Sequence, residues 1–134
     1  MKRKEKVRLI ALPKIEDTRG NLTFFEADNH LPFSIQRVYW VYDVPGDKER
    51  GGHAFKSSHE VIIALSGSFD VECYDGNSHK TFNLRRSYNA LYVPPMNWRK
   101  LTNFSTNSLA LIASSSLFDS SDYIYSKEEL PENV

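Results

Sequence analysis

Arg50-Gly51-Gly52-His53-Ala54-Phe55-Lys56-Ser57-Ser58-His59-Glu60-Val61-Ile62-Ile63-Ala64-Leu65-Ser66-Gly67 is the stretch on which the fold turns. Paired glycines let a backbone approach another chain or a ligand closely. From Glu60 to Leu65 an apolar, β-branched run reads as a strand, and Ser66-Gly67-Ser68 reads as the turn that ends it. Phe69 to Tyr74 is expected to return as its hairpin partner. An imidazole at His53 and a carboxylate at Glu60 bracket the aromatic Phe55, so the stretch carries polar chemistry as well as a core strand.

Downstream, Asp75-Gly76-Asn77 is a hairpin signal with Lys80 to Leu84 as the return strand. Ala90 to Val93 forms a further strand that must stop or turn at Pro94-Pro95, because proline cannot donate to a sheet ladder. Asn97 to Leu101 and Ser108 to Ala113 are the last core strands. From Ser114 the chain turns polar, and residues 127–134 read as a short helix or a frayed tail. Upstream, Val7 to Leu12 and Asn21 to Ala27 are two short strands joined by the turn chemistry of Asp17-Thr18-Arg19-Gly20. Phe33 to Val44 carries large side chains on both faces, as in a strand covered on both sides or lining a cavity, with Arg37 and Tyr39 on one face. About ten short strands, with turn signals roughly every eight to twelve residues, predict an all-β sandwich or barrel.

The chain has 134 residues, the length of one domain, and 40% hydrophobic with 25% charged residues is a globular composition. Seventeen basic residues balance seventeen acidic ones, which argues against a general nucleic-acid or membrane-surface binder. Cys73 is the one cysteine, so neither an intrachain disulfide nor a thiolate zinc site can form; in its alternating run it reads as a packed small hydrophobe. The basic start Met1-Lys2-Arg3-Lys4 is followed by Arg8 and Pro13 before any signal-peptide core, and no apolar run nears the roughly 20 residues a spanning helix needs. A cytoplasmic protein is the expectation.

The spacing His53-x-Phe55-x4-Glu60-x6-Gly67 resembles the first motif of the cupin β-barrels, with Phe55 where a second histidine is expected. The second cupin motif aligns with Pro94 to Asn103 and puts Arg99 at the fourth ligand position. Phenylalanine offers no lone pair and arginine stays protonated, so a metal of the usual cupin kind is not expected and no cofactor is assigned. His30, His59 and His79 fall in or beside loops and are read as solvated. What remains is one histidine, a tyrosine, arginines and aromatic rings. Imidazole can take and return protons near neutrality, and guanidinium with aromatic faces suits an anionic, ring-bearing ligand such as a nucleotide sugar.

Six collinear segments carry a closer resemblance: Asp17 to Leu22, Phe33 to Tyr39, Arg50 to Lys56, Leu91 to Pro94 with Trp98, Asn103 to Ser105, and Asp122 to Ile124. They resemble the sugar 3,4-ketoisomerases, the WxcM-like cupins acting on dTDP-4-keto-6-deoxyglucose. The resemblance implies one cupin jelly roll over residues 1–134, with a core at about 7–126 and a tail at 127–134. It implies a metal-independent homodimer, often with N-terminal strands exchanged. Its activity would be to move a keto group between C4 and C3 of a dTDP-linked sugar through an enediol, in deoxyamino-sugar synthesis for surface polysaccharide. By position, His53 is the base and Tyr39 the polarising or relay hydroxyl; Arg19 and Arg99 would hold oxyanion or diphosphate, and Arg50 the diphosphate. Phe55, Lys56 and Trp98 complete the expected substrate site. Phe55 also supports an alternative, a non-catalytic cupin that binds a nucleotide sugar or glycan. An epimerase and a metal-dependent dioxygenase rank lower.

Overall fold

A computed structural model of the chain describes residues 5–130; residues 1–4 and 131–134, which include the end of the expected tail, lie outside the described residues. The strands are β1 (Arg8–Ala11), β2 (Lys14–Ile15), β3 (Leu22–Thr23), β4 (Arg37–Tyr42), β5 (Arg50–Phe55), β6 (Glu60–Ser66), β7 (Phe69–Tyr74), β8 (His79–Leu84), β9 (Asn89–Val93), β10 (Trp98–Thr102), β11 (Leu109–Ser114) and β12 (Tyr123–Ile124). Single 3₁₀ turns at Ser120–Asp122 and Lys127–Glu129 are the helical segments among the described residues. None is long and apolar enough to cross a membrane. The expected all-β jelly roll is present as two five-stranded sheets, ordered β1-β9-β6-β11-β4 and β12-β5-β10-β7-β8, with β2 and β3 paired apart from them.

β6 runs between β9 and β11, covered on both faces, which is why its sequence is an unbroken apolar run. Ile62 and Ala64 point between the sheets, packed with Phe69, Val71, Leu91 and Leu101. Val61 and Ile63 point the other way, beneath Leu12, Leu31 and Phe33. The period of two therefore sends Glu60 to the same side as Ile62, a carboxylate aimed into the interior.

Three expectations change. Phe69 to Tyr74 does not form a hairpin with Glu60 to Leu65; β7 pairs with β8 and β10 in the opposite sheet. The corner between them is Gly67 at φ +66, where a Cβ would stand 2.5 Å from Ser105 Oγ and 2.8 Å from Ser108 Cα. Both strands are apolar on the faces that meet, so stacking them across the core buries more surface than pairing them edge to edge. At the N-terminus, β1 pairs with β9, and the Asp17–Gly20 turn joins only the short β2 and β3. That turn is closed by Gly20 N–H donating to Asp17 O at 2.9 Å. Finally, the strand expected over Phe33 to Val44 is limited to β4 at a sheet edge, with Trp40 57% exposed beside exposed Val38 and Tyr42. The large residues on both faces of this segment do not mean two covered faces. The hairpin at Asp75-Gly76-Asn77 forms as expected between β7 and β8.

Candidate active site

The site is built where β5 and β10 run side by side. Arg99 lies opposite His53 and Leu101 opposite Arg50, a mismatch in register that makes a bulge. Gly51 occupies that bulge at φ +69, and a Cβ there would stand 2.0 Å from Arg99 Nη1. The glycine thus lets its own carbonyl accept from that nitrogen at 2.9 Å. Arg99 is 2% exposed, and its Nε and Nη2 donate to Glu60 Oε1 at 3.2 and 2.8 Å. Nη2 also donates to the Tyr39 hydroxyl oxygen at 3.0 Å, while the Tyr39 O–H donates to Glu60 Oε2. Burial alone would push the Arg99 guanidinium down; the Glu60 carboxylate outweighs it and holds Arg99 above its ordinary value. Burial, then the Glu60 charge, raises the Tyr39 phenol, which keeps its proton. Glu60, Arg99 and Tyr39 form a self-satisfied floor.

His53 stands beside this floor in an aromatic setting. Its ring meets Phe55 and Tyr123 edge-on, each with centroids 4.8 Å away, and Tyr125 at 6.4 Å. Tyr123 is held there because β12 pairs with β5 and because buried Asp122 accepts from Ser57 N–H, Ser57 Oγ and Ser58 Oγ. Burial, helped by the charges of Arg99 and Arg37, lowers the imidazole to about 3, so His53 is neutral at ordinary pH. Its Nδ1 is buried without a hydrogen-bond partner. Arg37, at the start of β4, packs its guanidinium 5.1 Å from the Tyr39 ring and 5.7 Å from the ring of Phe118. Phe118 is exposed and also lines an open cavity of about 650 Å³ with Lys56, Ser116 and Asp119.

The structure brings His53, Tyr39, Phe55 and Arg99 together. Arg50 and Lys56 are exposed at the two ends of β5. Trp98 packs over Gly52, on the far side of β5 from Arg99, with Lys127 Nζ 5.8 Å from its ring. Arg19 is not brought to the site: its side chain is 87% exposed and paired to Asp17 at 2.7 Å within its own turn. Beyond the expected residues the site holds Glu60, expected only at a ligand position, Arg37, expected only to share the Tyr39 face, and Tyr123. Alternation from Ile62 back to Glu60, and from Tyr39 back to Arg37, was the available signal for the first two. His59 is not solvated as expected. It stacks with Phe33 and Tyr92, its Nδ1 lies 2.7 Å from the Tyr92 hydroxyl, and that hydroxyl donates to Glu5. His79 stacks on Tyr74 with centroids 4.4 Å apart. Cys73 is buried as expected, its thiol pushed up to about 12 chiefly by burial. The described residues contain no cluster of three or more metal-ligating side chains.

The family described as FdtA, WxcM-like, C-terminal, matches residues 5–134. A TDP-4-oxo-6-deoxy-alpha-D-glucose-3,4-oxoisomerase from Aneurinibacillus thermoaerophilus is 37% identical over 117 residues, 87% of this chain and 84% of the relative. Among solved structures, the TDP-quinovose 3,4-ketoisomerase WlaRB from Campylobacter jejuni superposes with a TM-score of 0.89 at 33% identity, over 94% of this chain and 97% of that one. The sugar 3,4-ketoisomerase QdtA from Thermoanaerobacterium thermosaccharolyticum, in complex with TDP, gives 0.88 at 34% identity over 91% and 89%.

Proposed function

The chain belongs to the FdtA family of WxcM-like proteins, and from that membership we propose that it is a sugar 3,4-ketoisomerase acting on a dTDP-linked 4-keto-6-deoxy sugar. The relatives named above support the reaction class. The observation that carries the reading at the site is His53, nine-tenths buried and with a ring nitrogen that no protein group among the described residues occupies.

The reaction needs only proton transfers. The C4 carbonyl acidifies the proton on C3, and His53 removes it. The C–H electron pair becomes a C3–C4 double bond as the carbonyl pair moves onto the C4 oxygen, giving an enediolate. Transfer of the C3 hydroxyl proton to the C4 oxygen through an enediol, and delivery of the proton held by His53 to C4, leave the ketone at C3 and a hydroxyl at C4. Tyr39 supplies a hydroxyl whose acidity is set by burial and then by Glu60 and Arg99, and the electrostatic support must meet the oxygen where charge develops. The exposed cation Arg50 suits the diphosphate, and Phe55 adds aromatic surface beside His53.

His53→Asn should abolish isomerisation while TDP binding is retained. Proton NMR in deuterated water reads this as loss of exchange at C3. Normal exchange in the variant removes His53 from the mechanism. Phe55, a ring with no proton acceptor at 4.8 Å from His53, favours the second reading, a nucleotide-sugar binder. In that case the wild-type protein binds the keto sugar and leaves its C3 proton in place.

Exposed apolar side chains on β2, β3 and β4, among them Ile15, Leu22 and Trp40, support a homodimer with possible exchange of N-terminal strands, which light scattering would read as twice the chain mass. The sugar produced would enter deoxyamino-sugar synthesis for surface polysaccharide, and a cytoplasmic location suits a nucleotide-linked substrate; fractionation of cells checks it.

A further inference from the structure

Two guanidinium groups lie near His53, and they are in opposite states. Arg99 has its charge matched by Glu60 and its donors engaged by Glu60, Gly51 and Tyr39. A substrate oxygen would have to displace a buried ion pair to reach it, which costs several kcal/mol. Arg37 forms no ion pair among the described residues, and its Nε is buried without a hydrogen-bond partner. Its contacts are the π faces of Tyr39 and Phe118, which leave the in-plane donors free. A half-buried guanidinium with an unused donor is costly unless an anion completes it. Period two in β4 sets Arg37 on the same side as Tyr39, next to the residues that would work on the sugar.

We propose that Arg37, rather than Arg99, is the guanidinium that takes the negative charge developing on the C4 oxygen of the sugar as the enediolate forms. This rests on the ketoisomerase reading. The diphosphate carries its charge before and after the reaction and suits a cation open to solvent, as Arg50 is. Arg37 sits deeper, and its charge reaches His53. The two effects work together. In the free protein burial, then Arg99, then Arg37 hold the imidazole unprotonated. Once the oxygen bears negative charge against Arg37, the Arg37 share of that repulsion is offset and the imidazole holds the proton taken from C3 more readily. No oxidant or cofactor enters, since the electron pair of the broken C–H bond remains in the sugar.

The test measures steady-state isomerisation of TDP-4-keto-6-deoxyglucose, TDP binding and the His53 titration by NMR in the wild type, Arg37→Gln and Arg37→Lys. Loss of one well-aimed oxyanion donor lowers kcat by about 100-fold or more. Arg37→Gln should show that loss with KM within about threefold, TDP affinity unchanged and the His53 titration moved upward. Arg37→Lys, which keeps the charge without the fork, should fall between and covers the case that the glutamine variant folds poorly. A rise in KM with kcat retained would assign Arg37 to the diphosphate and overturn the proposal. Unchanged kinetics in both variants would also overturn it while leaving the isomerase reading intact. A wild-type protein that never converts the sugar overturns both.

Discussion

The β5–β10 wall and the β2–β3 hairpin answer the same sequence motif vocabulary in opposite ways. In the wall, Arg99 is tied to the half-buried Gly51 and to Glu60 of β6 by hydrogen bonds from 2.8 to 3.2 Å, and Arg99 and Glu60 are almost fully buried. In the hairpin, Gly20 and Arg19 form a local turn, with Arg19 bound only to Asp17 and with Ile15 and Leu22 more than half exposed. The wall is completed by its own chain. The hairpin presents apolar residues and a cation outward.

That contrast can be broken most severely at Glu60. Glu60→Ala leaves the Arg99 guanidinium buried with its counter-charge removed, and about 3–5 kcal/mol of stability should be lost in denaturant unfolding. A loss below about 1 kcal/mol would mean that water or a shift of Arg99 repairs the wall, making it no more self-contained than the hairpin.

Near neutrality a smaller effect comes from pH. Folded His53 titrates at about 3 against 6.5 for an unperturbed imidazole, so on acidification the unfolded chain takes up the proton first. The stability linked to His53 is intact above pH 6.5 and is lost as pH falls from 6.5 towards 3, with a slope of at most about 1.4 kcal/mol per pH unit. His53→Asn should flatten the acid limb of the stability curve relative to the wild type. Identical limbs would place His53 in a more solvated setting.

The smallest effect sharpens the hairpin side. Arg19→Ala should leave the thermal midpoint unchanged, because the side chain projects into solvent. If turnover nevertheless falls and is restored by mixing with His53→Asn subunits, Arg19 serves the site of a second copy. A shifted midpoint with normal turnover would make the Asp17–Arg19 pair a structural clamp.

Most of the strand pattern was legible because turn residues such as Asp75-Gly76-Asn77 and Pro94-Pro95 act locally. Which strands pair was not, since Gly67 permits either a hairpin or a crossover between layers and only the core packing decides. At the site, His53 and Tyr39 were readable from position. Arg99 was assigned to the substrate because a sequence shows a cation without its counter-ion; Glu60, its partner across the barrel, lies 39 residues away. Arg37 was readable as sharing a face with Tyr39, but its want of a counter-ion was not, because the lack of a partner is a property of the fold.

Gly51 has a bearing on how such a site can change over generations. A side chain at 51 collides with Arg99, and a shorter residue at 99 leaves the Glu60 carboxylate without its cation. Positions 51, 60 and 99 are therefore coupled: removing either charge strands the other, and a side chain at 51 needs Arg99 to move, so change at any one of the three is eased by change at the others.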